Sequence, residues 1–157
     1  SRQAGFRGPQ DFVATLRPIL TELLADQDLP VDGVLGQAAL ETGWGNHVIA
    51  DQLGRSSHNL FGIKARNDEE PHVSISSMEF ELGRWVNRRS NFRAYPDWEA
   101  SVRDYVSTIT ENARYQKVAG AGADVESFAQ QLAASGYATD PRYAEKLLDV
   151  VAKIGVM

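Results

Sequence analysis

The sequence predicts a mainly α-helical domain with a small β-hairpin lobe, an α+β fold. Three observations carry that expectation. Apolar residues recur at helical spacing in five stretches, and one interval, 72–95, switches to strand-like alternation. Turn and cap residues (Gly43, Gly83, Asp97, Asp124, Gly136, Asp140–Pro141) fall between these stretches. At 157 residues the chain suits one hydrophobic core. Residues 1–9 read as a flexible lead-in and 10–157 as a single domain.

From Gln10 to about Asp26, Phe12, Leu16, Ile19, Leu20, Leu23 and Leu24 mark one helical face. Pro18 lies inside it and is expected to kink or divide the helix, because proline lacks the amide hydrogen and clashes with the preceding turn. A second helix is expected over Val31–Thr42, stopped by Gly43. Between Asn46 and Lys64, Ser56, Ser57 and Asn59 signal loops around an apolar knot of Leu60, Phe61 and Ile63. In 72–95, Val73 and Ile75 alternate on one side and Met78, Phe80 and Leu82 on the other. A hairpin turning at Gly83 is expected, with a bulge where the face switches. Its Arg84, Arg88, Arg89 and Arg93 read as a solvated surface. Trp98, Val102, Tyr105, Val106 and Ile109 then form a helical stripe behind Asp97 as N-cap. Asp124 opens a helix with Val125, Phe128, Ala129 and Leu132, ended by Gly136. Asp140 and Pro141 supply an N-cap and first helical residue for the last helix, which carries Tyr143, Leu147, Val150, Val151 and Ile154.

Composition removes several classes of function. Without cysteine there are no disulfides, thiolate metal sites or cysteine nucleophiles. Sixteen basic against 21 acidic residues, a net charge of −5, argue against nucleic acid as partner. No apolar run approaches the roughly 20 residues of a membrane span, so membrane insertion is not expected. His47, His58 and His72 have no metal-ligand spacing, and neither a phosphate loop nor a Gly-x-Ser-x-Gly nucleophile motif is present. No cofactor is implied.

Glu41 is the residue that asks for chemistry. A lone glutamate at a helix end is ordinarily a solvated surface group. Here Val34, Ala38 and Glu41 share an apolar stripe, and Glu41 falls in the last turn, where the helix dipole disfavours a negative charge. Both effects favour a carboxyl that keeps its proton, as a glycosidase acid must. A second carboxylate about 5–9.5 Å away would complete such a site. Glu79, Glu81, Glu69 and Glu70 are the candidates, and spacing does not choose among them. Trp44, Phe61, Tyr115, Tyr137 and Tyr143 lie near helix ends or loops, where aromatic rings can stack on sugars.

The run Gly36-Gln37-Ala38-Ala39-Leu40-Glu41-Thr42-Gly43-Trp44-Gly45 resembles the signature of the bacterial peptidoglycan glucosaminidases of glycoside hydrolase family 73. Asn59-Leu60-Phe61-Gly62-Ile63-Lys64, Ser77-Met78-Glu79-Phe80, Phe92-Arg93-Ala94-Tyr95, Asp104-Tyr105-Val106, Ala113-Arg114-Tyr115 and Gly136-Tyr137-Ala138-Thr139-Asp140-Pro141 follow in the family's order. The hairpin entry departs from the family's usual Thr-Thr-Glu-Tyr, and the tryptophan often found after Gly-Ile-Lys is absent. The resemblance, strongest to the family's flagellar rod-assembly branch, implies a lysozyme-like fold. It implies hydrolysis of the β-1,4 bond after N-acetylglucosamine in peptidoglycan glycan strands, by an endo-acting enzyme. Glu41 is then the general acid, Glu79 the second acidic residue and Tyr137 the cleft tyrosine. Trp44, Asn59, Phe61, Tyr115 and Tyr143 are the expected substrate contacts. It further implies a periplasmic monomer, without metal or cofactor, serving flagellar rod proteins by opening the wall. A lytic transglycosylase of the same fold and a non-catalytic wall-binding assembly module are the alternatives.

Overall fold

The structure, a computed structural model, describes residues 5–157. Its elements in chain order are α1 (Pro9–Leu23), α2 (Val31–Thr42), β1 (His72–Glu81), β2 (Arg84–Arg93), α3 (Trp98–Glu111), α4 (Gln116–Ala119), α5 (Val125–Ala134) and α6 (Tyr143–Ile154). A 3-10 turn, Ala113–Tyr115, leads into α4.

Helix α2 is the axis of the helical lobe. Gly33 through Ala39 are all buried, so this helix has no solvated face along most of its length. It packs against α1, α5 and α6. The approach is close: a methyl group on Gly33 would stand 2.8 Å from the Phe128 ring of α5, and one on Gly36 2.7 Å from Val151 of α6. Phe12, Leu16 and Leu20 of α1, Tyr105 and Ile109 of α3, and Leu147 and Ile154 of α6 complete the core. Outside it, Phe6 packs edge-on against Phe12 at 5.0 Å and lies 5.5 Å from Trp98. Of the expected lead-in, residues 1–4 lie outside the described residues.

Several expectations are corrected. Pro18 does not divide α1, which runs undivided from Pro9 to Leu23. Both Pro18 and Ala14, whose carbonyl loses its partner, are exposed, so water can take the place of the missing bond. Asp97 and Asp124 cap α3 and α5 as expected, accepting from Ala100 N and from Glu126 and Ser127 N. Asp140 accepts from Arg142 N at 2.8 Å, but α6 begins at Tyr143 because residues 140–143 first close a turn. Helix α4, a single turn, is too short to leave a period in the sequence.

The hairpin has no bulge. Its register runs unbroken from His72↔Arg93 to Glu81↔Arg84. Leu82 and Gly83 turn the chain with φ of 51° and 79°, the two positive angles of a type I′ turn. The inward face is Val73, Ile75, Ser77 and Glu79, while Met78 is exposed. What reads in the sequence as a switch of face is a strand that turns polar on its inner side. Arg93 also departs from expectation. It is half-buried at the hairpin base and pairs with Glu70 at 3.1 Å and Asp104 at 3.2 Å, where Tyr95 donates to Asp104 at 2.5 Å. Arg84, Arg88 and Arg89 are solvated.

Gly33→Ala should destabilise the domain. An added methyl meets the rigid rings of Phe128 and Pro30, both at 2.8 Å. Overpacking of this kind costs about 1–3 kcal/mol, more than the ~1 kcal/mol that alanine gains over glycine in a helix. Urea unfolding should show a net loss of up to about 2 kcal/mol.

Candidate active site

Helix α2 ends where Gly43 turns left-handed, with φ 57° and ψ 51°. Thr42 seals that end, donating from Oγ1 to the Ala38 carbonyl at 2.7 Å and accepting from Gly45 N at 2.9 Å. One residue earlier, Glu41 projects into a cleft of about 770 Å³. The cleft's other walls are the Asn59–Lys64 segment, the inner face of β1 and the segment from Gly136 to Lys146.

Glu41 is accessible from the cleft, yet protein surrounds its carboxyl closely enough to strip much of its water. That loss of hydration raises its pKa to about 7. A hydrogen bond from the Tyr143 hydroxyl opposes the rise, and the charge of Glu79 adds to it. The negative end of α2 acts in the same direction. Tyr143 donates to Oε1 at 3.4 Å, while Oε2 lies beside Gly62. A Cβ at Gly62 would stand 3.0 Å from Oε2, and the residue's φ is +67°, so glycine answers two requirements there.

Of the four other carboxylates singled out in the sequence, the structure brings Glu79 to the cleft. Thr139 donates to its Oε1 at 3.2 Å and Lys64 lies 3.8 Å from Oε2. The same Thr139 hydroxyl accepts from Phe80 N at 3.0 Å, tying the hairpin to the segment before α6. Glu81 is held by Arg88 through contacts of 2.9 and 2.6 Å, which keep its carboxyl below the usual range. Glu70 accepts from Arg66 N and pairs with Arg93, and Glu69 is exposed in the same loop.

The aromatic candidates divide. Tyr137 stands among three tyrosines, with its ring centroid 6.0 Å from Tyr143, 5.8 Å from Tyr115 and 6.3 Å from Tyr105. It donates its hydroxyl proton to the Phe61 carbonyl at 2.9 Å. Phe61 is fully buried and stacks on Tyr105 at 4.2 Å; with Tyr115 and Tyr143 it borders the cleft from the core side. Asn59 also borders the cleft, but its side chain is spent on the backbone. Nδ2 donates to the Ile63 and Arg93 carbonyls, and Oδ1 accepts from Phe61 N and Ile63 N. Its work is to shape the loop that carries Gly62. Trp44 is not brought to the cleft: the left-handed turn at Gly43 and Trp44 swings its ring onto Phe12, 6.2 Å away.

Sequence reasoning missed four contributors. Gln37 lies one turn before Glu41 and is fully buried, and a polar residue inside an apolar helix stretch was the available signal. Thr139 appeared only as a member of the Gly136–Pro141 motif, with no role attached. Trp85 at the hairpin end and Lys146, which pairs with Asp140 at 2.5 Å and lies 5.9 Å from the Trp85 ring centre, reach the cleft from opposite lobes. Among the described residues no group of three acidic or histidine side chains is placed to hold a metal. No helix there is long and apolar enough to cross a membrane.

A carboxyl poised to give up a proton near neutrality, facing a second carboxylate across a groove between helices and hairpin, is the apparatus of a glycoside hydrolase. Comparison with known proteins agrees. The glucosaminidase family model, described as mannosyl-glycoprotein endo-beta-N-acetylglucosaminidase, matches residues 17–155, and the chain belongs to that family. It is 40% identical over 153 residues to the peptidoglycan hydrolase FlgJ of Pseudomonas aeruginosa, covering 95% of this chain and 38% of that protein. The curated FlgJ relatives are longer: this chain spans half of their length or less. Among solved structures, a peptidoglycan hydrolase mutant from Sphingomonas sp. A1 superposes with a TM-score of 0.84 at 39% identity, covering 90% of this chain and 92% of that one. A C-terminally truncated glycoside hydrolase domain of Salmonella typhimurium FlgJ gives 0.77 at 35% identity, covering 96% and 99%. The fold is the lysozyme-like α+β fold of these enzymes.

The raised pKa of Glu41 has a consequence for stability. The native state holds this proton more tightly than the unfolded chain, so the wild-type protein loses stability as pH rises from about 4.5 to about 7. Glu41→Gln removes that penalty. Its Tm should match wild type near pH 4 and exceed it at pH 8, a difference that calorimetry at the two pH values measures.

Proposed function

We propose that this domain hydrolyses peptidoglycan, cutting the β-1,4 bond after N-acetylglucosamine within the glycan strand. The observation that carries the reading is Glu41: a cleft carboxyl with a pKa of about 7, opposite Glu79. In its protonated form Glu41 gives its proton to the bridging oxygen as the glycosidic bond breaks. Water then completes the reaction by one of two routes. In the first, Glu79, kept in place by Thr139 and Lys64, takes a proton from the attacking water. In the second, the substrate's acetamido oxygen attacks the anomeric carbon and water opens the resulting ring. Tyr137 suits that second route. With its own proton committed to the Phe61 carbonyl, its oxygen is free to accept from the acetamido N–H. The first route inverts the anomeric carbon and the second retains it, so NMR of the nascent product anomer separates them.

The biological setting follows from the same resemblance. The motif series from Gly36 to Pro141 and the similarity to proteins named peptidoglycan hydrolase FlgJ support work in the periplasm, opening the wall for flagellar rod assembly. A reducing N-acetylglucosamine end is the expected product in mass spectrometry of digested sacculi. A 1,6-anhydromuramic end would instead assign a lytic transglycosylase, and an inactive protein a wall-binding module.

Glu41→Gln should lose about 10²–10⁴-fold in rate or more while still binding glycan. Wild-type activity should fall as pH rises through about 7, because the ionised carboxyl has no proton to give. Near-normal wall clearing by the folded variant would remove Glu41 from this role. Glu79→Gln should slow turnover by less than Glu41→Gln if the acetamido group shares the work. Glu81→Gln should leave turnover unchanged, since Glu81 is occupied by Arg88 outside the cleft lining.

A further inference from the structure

Behind Glu41 lies a chain of buried polar groups that the reaction as described does not use. Tyr105 and Gln37 are fully buried and Tyr143 nearly so. The Tyr105 hydroxyl donates to Gln37 Oε1, Gln37 Nε2 donates to the Tyr143 oxygen at 2.9 Å, and Tyr143 donates to Glu41 Oε1. These three side chains come from α3, α2 and α6, so the chain crosses the core of the helical lobe.

The direction of each bond follows from the first. Gln37 is the one hydrogen-bond partner of the Tyr105 hydroxyl among the described residues. A fully buried hydroxyl left without an acceptor is costly, so the Tyr105 proton goes to the amide oxygen of Gln37. With Oε1 taken from that side, the amide presents its NH2 to Tyr143. The Tyr143 oxygen is thereby filled as an acceptor, and its own proton is turned toward Glu41 Oε1. Reversing the amide would leave Tyr105 facing a donor and draw the Tyr143 proton away from the carboxyl.

We propose that Tyr105, Gln37 and Tyr143 are positioning residues that reserve Glu41 Oε1 as an acceptor and so place the acid's transferable proton on Oε2, beside Gly62. The inference rests on Glu41 being the general acid. An oxygen that already receives a proton from Tyr143 is a poor site for one of its own, whereas Oε2 has no such donor among the described residues. The 3.4 Å length of the Tyr143 bond fits a catalytic contact before substrate arrives, since such bonds tighten in the complex. By favouring the ionised form, the same bond keeps the carboxyl from holding its proton too firmly. The other titratable groups facing Glu41 are Glu79 on β1 and Tyr137 ahead of α6. Of the cleft's cations, Lys64 is paired with Glu79 and Lys146 with Asp140, and Arg114 donates to the Ser135 and Gly136 carbonyls. His47 also lines the cleft, with its ring beside Gly43 at the end of α2.

The test compares Tyr143→Phe and Tyr105→Phe in the purified chain. The Glu41 carboxyl is titrated by 13C NMR, and kcat and KM are measured against pH on a soluble tetrasaccharide of alternating N-acetylglucosamine and N-acetylmuramic acid. In Tyr143→Phe the midpoint and the basic limb of kcat should both move to higher pH. Plateau kcat should fall about tenfold, a small part of what the acid supplies, with KM little changed. Tyr105→Phe deletes one oxygen and keeps the ring stacked on Phe61, so its fold persists, and it touches Gln37 rather than Glu41. It should move the midpoint the same way by a smaller amount. An unmoved or lowered midpoint in either variant overturns the relay. The NMR titration does not depend on turnover. If Glu41→Gln stayed active, the assignment of Glu41 as the acid would fall, and the titration would still report on the relay separately.

Discussion

The close fit of helix α2 among its neighbours is the constraint on which the rest of the structure depends. With no room for a methyl group at Gly33 against α5 or at Gly36 against α6, the helix has one depth at which it can sit. That depth decides where its last turn emerges, and so where Glu41 meets the cleft. A helix buried on all sides for most of its length gives the carboxyl a mount that surface helices lack. Gly43 then turns the chain away at once, so the backbone does not cover the group it has just delivered.

The helical lobe supplies Glu41 and the hairpin lobe supplies Glu79, and each side is set by a different kind of physics. On the helical side the dominant effect is removal of water, which leaves the carboxyl reluctant to ionise; Tyr143 tempers that reluctance with one hydrogen bond. On the hairpin side the dominant effect is charge and hydrogen bonding, through Lys64 and Thr139. Two carboxylates of the same chemical type are thereby placed in unlike environments.

Much of the helical lobe was legible because its signals are local. Asp97 and Asp124 cap the helices they precede, and Val31–Thr42 is the helix the apolar spacing draws. The hairpin was legible as a hairpin, but its inner face was not. Ser77 and Glu79 point inward because the cleft needs polar groups there, and a pattern that equates inward with apolar misreads them. Glu41 could be singled out from its own helix. Spacing did not choose Glu79 and the family resemblance did; the structure adds that Glu70 and Glu81 have arginine partners. Trp44 failed as a cleft residue for a local reason, the left-handed backbone that carries its ring back to Phe12. Gln37 was the least legible of all. Its partners Tyr105 and Tyr143 lie 68 and 106 residues away in sequence.

Thr139 joins two things that are usually separate. One hydroxyl accepts from the Phe80 backbone and donates to the Glu79 carboxylate, so the strand's attachment and the carboxylate's aim share an atom. A hairpin displaced from the helices releases both bonds together. The width of the groove and the bearing of its second carboxylate are therefore a single mechanical coordinate.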